Sequence, residues 1–98
     1  LTRETLRELV RDAPVAPGVY IFRDRRGAYL YVGKARDISA RLSSYLTSDN
    51  PRTRALLRRA ASLEWLVTGS EAEALFTESS LVRFQKPPFN IRLAGGEY

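Results

Sequence analysis

A chain of 98 residues with 44% apolar side chains suffices for one domain with one modest core. It contains no cysteine and no histidine, which removes disulfides, thiol nucleophiles, thiolate zinc sites and the usual neutral-pH acid–base group. Any catalysis is left to carboxylates, phenols, amines, guanidiniums, hydroxyls, or a hard divalent ion such as Mg²⁺ or Mn²⁺ held by oxygen.

The net charge is +5, and its placement says more than its size. Lys34, Arg36, Arg41, Arg52, Arg54, Arg58 and Arg59 fall within residues 34–59, against only Asp37 and Asp49. A localised excess of this kind points to nucleic acid as partner; a solvated helix face is the plainer alternative. No run approaches the roughly 18 apolar residues of a membrane span, and no signal-peptide pattern opens the chain. The expectation is a cytoplasmic protein with no membrane partner. Residues 1–98 read as a single domain, monomeric in isolation and excised from a longer multidomain protein.

In chain order, residues 2–12 form a short amphipathic helix with Leu6, Leu9 and Val10 on one side, ended by Pro14 and Pro17. Segments 18–23 and 28–33 pair as a hairpin around Asp24-Arg25-Arg26-Gly27, which has the residues of a type I turn. Two registers are open. One sets Tyr20 opposite Tyr31; a glycine bulge sets Tyr20 opposite Val32 instead. Asp37 caps a helix over 38–46 with the stripe Ile38, Leu42, Tyr45 and Leu46, and with Arg41 and Tyr45 side by side. Asn50 and Pro51 start the next helix, to about residue 61. "SLEWLVTG" alternates as a third strand, and Ser70 with Glu73 opens a helix to about Gln85, closed by Pro87 and Pro88 ahead of an extended tail. The fold class is α+β: a small three-stranded antiparallel sheet flanked by helices.

Glu78 falls in an unexpected place. The last helix buries Ala74, Leu75, Leu81 and Val82, and a rotation of roughly 100° per residue puts Glu78 inside that stripe. A carboxylate there must be paired, protonated or bound to metal. A salt bridge to one of the many arginines and a Mg²⁺ site completed by water and phosphate both remain open.

Tyr20 in "GVY", Tyr31 in "YVG", Lys34, Arg41, Tyr45, Glu78 and Asn90 in "PPFN" together resemble the GIY-YIG nuclease family. "APGVYIF", "YVGKA", "RLSSYL" and "FNIRL" are similar to its UvrC-like subgroup, the nuclease domains of nucleotide-excision-repair endonucleases, over nearly all of residues 14–93. The family's two namesake isoleucines are valine here, Ser79-Ser80 follows the glutamate, and Phe89 stands where a tyrosine is usual.

The resemblance implies hydrolysis of a DNA phosphodiester to 5′-phosphate and 3′-hydroxyl ends with one divalent metal ion, with other domains or repair-complex subunits as partners. It makes Glu78 the metal ligand, Tyr31 the base toward water, and Tyr20 a polar or packing neighbour. Arg41 stabilises the phosphate charge, Lys34 and Tyr45 bond phosphate or nucleophile, and Asn90 braces the site. Arg36, Arg52, Arg54, Arg58 and Arg59 are the expected nucleic-acid contacts. A phenol is a poor base at its reference pKa of about 10, so nearby positive charge must favour its ionised form. Two rivals stand beside this reading. "LYVGKA" resembles the first motif of RNA-recognition domains, but no later strand carries their second. A catalytically inactive nucleic-acid-binding domain on the same fold is the other.

Overall fold

The computed structural model describes residues 1–90. Helix α1 (Arg3–Arg11) precedes strands β1 (Gly18–Arg23) and β2 (Tyr29–Ala35). Helices α2 (Ile38–Leu46) and α3 (Pro51–Arg59), strand β3 (Ser62–Val67) and helix α4 (Glu71–Gln85) follow. The sheet is antiparallel with order β2-β1-β3, so the central strand comes first in the chain and β2 is an edge.

Local chemistry sets the ends of these elements. Thr2, Asp37, Asn50 and Ser70 each accept a backbone N–H of the first turn of α1, α2, α3 and α4. Glu73 completes the last cap by reaching back to Gly69 N–H at 2.7 Å. α4 stops at Lys86, whose left-handed backbone (φ 47°) returns its N–H to the Val82 carbonyl before buried Pro87. Residues 88–90 then turn rather than extend; the rest of the expected tail lies outside the described residues.

Neither expected hairpin register is the observed one. The glycine bulge forms: Asp24 N–H reaches Ala28 O at 2.9 Å, and Gly27 takes the positive φ of 83° that the turn requires. A second irregularity between Phe22 and Arg23 skips Leu30, so Phe22 pairs with Tyr31 and Tyr20 with Gly33. The added slip moves Tyr20 two residues along β2 from the tight-turn register. A bulge inside a strand leaves no local signature in β-branched, aromatic sequence, which is why the turn residues alone did not reveal it.

The two faces of the sheet bury different partners. Tyr20, Phe22, Leu30 and Ala35 pack with Leu6 and Val10 of α1, Ile38 and Leu42 of α2, and Leu56 of α3. Val19, Ile21 and Val32 pack on the other face against Ala74, Leu81 and Val82 of α4. Leu75 does not join that stripe and is half exposed. Ala74, Glu78 and Leu81 therefore define the sheet-facing line of α4. Among the described residues no helix is long and apolar enough to cross a membrane.

Gly33 is where packing decides the residue. A Cβ added there would sit 2.4 Å from Tyr20 Cζ and Oη, and Tyr20 is fully buried. The space that Gly33 leaves is thus filled by the cross-strand tyrosine ring. Gly33→Ala is expected to destabilise the fold by about 1–3 kcal/mol through overpacking, read as a lower urea midpoint at unchanged m-value.

Candidate active site

Three phenols converge under α2. Tyr20 comes from β1, Tyr31 from β2 and Tyr45 from the last turn of α2. Tyr20 and Tyr45 share a 2.9 Å hydrogen bond between hydroxyls, and the Tyr20 ring lies 6.1 Å from that of Tyr31 and 5.9 Å from that of Tyr45. Tyr20 packs edge-on against Tyr45, at 82°, and tilted against Tyr31, at 47°. Burial raises the Tyr20 pKa far above the ordinary phenol value, and the nearby Tyr45 and Tyr31 raise it further. Burial likewise pushes the Tyr45 phenol up to about 12, opposed by its bond to Tyr20 and by the charge of Arg41. Both therefore stay neutral at any physiological pH. Tyr31 and Tyr45 are half-buried, and Tyr20 alone of the three is fully buried.

Arg41 is exposed on α2, close enough for its charge to be felt by Tyr20 and Tyr45. It shares an open cleft of about 730 Å³ with Lys34, Arg36, Ser44 and the first turn of α4. Neither Lys34 nor Arg41 has an acidic partner within salt-bridge distance among the described residues. Arg36 does: its Nε lies 3.1 Å from Glu71 Oε2.

Glu78 is half-buried on the sheet-facing line of α4, with no hydrogen bond or ion pair to any described residue. Burial raises its pKa above the ordinary carboxylate value, and the positive charge of Lys34 pulls the other way. The structural salt bridge open at sequence level is thus not formed among the described residues. Nor does any group of three or more acidic, histidine or cysteine side chains gather to hold a metal there. A single carboxylate fits a hard ion such as Mg²⁺, which keeps most of its water shell.

The phenols and the acid rise from opposite faces of the sheet. Tyr31 packs with the α1–α2–α3 layer, while Lys34 shares the α4 face with Val19 and Val32. Asn90 occupies the outer edge of β2. Its Oδ1 accepts Val32 N–H and its Nδ2 donates to Val32 O, each at 2.8 Å, while Asn90 itself is 5% exposed. One side chain thus stands in for a fourth strand, satisfying both backbone groups of the residue between Tyr31 and Gly33.

The remaining expected DNA contacts do not form one groove. Arg52 donates to the Phe89 carbonyl, and the Arg52 and Arg59 guanidiniums lie 5.8 and 5.6 Å from the Phe89 ring. Arg54 is exposed on α3, and Arg58 faces the β1–β2 turn. The Arg52–Phe89–Arg59 arrangement joins residues about 30–37 positions apart along the chain, and no local pattern announces it.

Comparison with known proteins agrees with this geometry. Residues 16–91 match the UvrC-like GIY-YIG domain family. This chain belongs to that family. It is 45% identical over 97 residues to UvrABC system protein C of Treponema denticola and 54% identical over 86 residues to that of Saccharophagus degradans. These alignments cover 98% and 86% of this chain but only 15% and 14% of the relatives, so the chain spans about one-seventh of their length.

The crystal structure of the GIY-YIG N-terminal endonuclease domain of UvrC from Thermotoga maritima, bound to its catalytic divalent cation magnesium, superposes with a TM-score of 0.85 at 36% identity. That match covers 92% of this chain and all of the other. A point mutant of the same domain, also with its catalytic divalent cation, gives 0.86 at 35% identity, covering 93% and 100%. The α+β reading and the GIY-YIG resemblance both hold. The chain is a UvrC-like GIY-YIG domain.

Proposed function

We propose that this domain makes a metal-dependent incision in DNA, hydrolysing one phosphodiester to a 5′-phosphate and a 3′-hydroxyl, as one part of a longer UvrC-like repair protein. The observation that carries this is Glu78, a half-buried carboxylate on a sheet-facing stripe with no ion pair among the described residues. Its cost is otherwise unexplained. A carboxylate of this kind suits a divalent ion, which when bound offsets phosphate charge and acidifies water.

The chain's own groups do the rest. Lys34 and Arg41, both without acidic partners, take the non-bridging phosphate oxygens in the cleft they share. Acting as phenolate, Tyr31 takes the proton of the attacking water and becomes the neutral phenol. Tyr20 and Tyr45 are kept neutral by burial, so they hold the third ring in place and cannot compete for that proton. Asn90 fixes the backbone that presents Tyr31. With labelled duplex DNA, strand breaks are expected with Mg²⁺ or Mn²⁺ and none with EDTA. DNA binding without cleavage under both conditions would leave the inactive binding domain instead.

A further inference from the structure

We propose that the β1–β2 turn and the end of α3 form a second phosphate-binding surface, which grips the DNA flank away from the cleft at Lys34 and Arg41. Arg25 and Arg26 of the turn and Arg58 and Arg59 of α3 surround a groove of about 580 Å³ with Asp24, Ala60 and Ala61. None of the four guanidiniums has an acidic partner within salt-bridge distance among the described residues. The single acid in the groove is already committed to the turn, since Asp24 Oδ1 accepts the backbone N–H of Arg26 and of Ala28 at 2.9 Å each. The four arginine charges outnumber that one carboxylate, and a polyanion removes the repulsion that remains among them.

The frame that carries these arginines is fixed. Gly27 closes the turn, and Ala61 N–H donates to Arg23 O at 2.7 Å, tying the end of α3 to the base of the hairpin. The groove also leads back to the phenols. Arg59 belongs to it and lies over Phe89; Phe89 and Arg52 in turn line a smaller hollow with Tyr31 and Tyr45. From Arg52 to Arg59 is about 10 Å along α3 at 1.5 Å per residue. That is about three nucleotide steps at ~3.4 Å each. The surface therefore continues from the reacting phosphate along one strand, and it rests on the incision reading for its choice of ligand.

The test uses the whole chain and a fluorescein-labelled duplex in EDTA, with anisotropy followed against salt. Arg25→Ala with Arg26→Ala is expected to weaken binding and to flatten the log–log salt slope by roughly 1.8, the value for two lost phosphate contacts. Arg25→Lys with Arg26→Lys should restore the slope. In Mg²⁺ the alanine pair should raise KM and leave kcat unchanged. Both residues are exposed in a turn held by Asp24 and Gly27, so the melting temperature should not move. An unchanged slope in the alanine pair overturns the surface, as does an equal flattening by Arg83→Ala on the outer side of α4. If the wild type cuts DNA while the slope stays put, the surface fails and the endonuclease stands. If the slope flattens but the wild type never cuts, the surface stands and the endonuclease fails.

Discussion

Glu78→Gln is expected to abolish metal-dependent cleavage while leaving DNA binding intact. Among the described residues no group of three or more acidic, histidine or cysteine side chains gathers to hold an ion, so the amide removes the anchor and not one contact of many. Metal stabilisation of a phosphoryl transition state is worth several kcal/mol, so the loss should reach about 10³-fold or more at ~1.36 kcal/mol per decade. The apo protein should respond in the opposite sense. Burial raises the folded-state pKa of Glu78 above its unfolded value, so the native state binds the proton more tightly. Stability from this group is therefore full at low pH and is lost as pH rises through the folded pKa. At pH 7 the amide should melt at a higher temperature than the acid, and the gain should vanish at low pH. Protons also compete with the metal at a higher pH than for an ordinary glutamate, so added Mg²⁺ should push the acid limb of the activity profile downward. Cleavage at the wild-type rate by the amide variant would remove the metal assignment.

Much of this was legible in the sequence, for reasons that differ from residue to residue. Helix caps are local hydrogen bonds written as single side chains, and those expected at Asp37, Asn50 and Ser70 all formed, while Thr2 caps the first helix without having been singled out. The sheet-facing position of Glu78 follows from helical periodicity, although Leu75, one residue after Ala74, proved half exposed. The tyrosine pair was readable as two strand aromatics, yet their mutual placement depends on the slip at Leu30. That slip answers to packing across the sheet, where Tyr20 needs the space that only Gly33 leaves. Charge was readable as an amount but not as a location. The arginines of residues 34–59 divide among the cleft, the Phe89 ring and the groove at the turn, because two helices and a loop carry them to different sides.

Tyr31→Phe separates chemistry from packing. The substitution keeps the ring that packs 6.1 Å from Tyr20 and removes only the oxygen, so folding should be unchanged. If Tyr31 accepts the proton of the attacking water, kcat should fall by roughly 10²–10⁴-fold, the usual worth of a general base, with KM hardly altered. The same change at Tyr20 behaves differently on physical grounds. Tyr20 is fully buried, bonded to Tyr45 at 2.9 Å and held neutral, so Tyr20→Phe removes a hydrogen bond from inside the packed layer. That variant should lose stability as well as rate, in denaturant melts as in turnover. A buried phenol costs structure when it is cut, and a half-buried one that faces substrate costs only rate. A loss under tenfold for Tyr31→Phe, at unchanged stability, would leave Tyr31 a packing residue and require another proton acceptor.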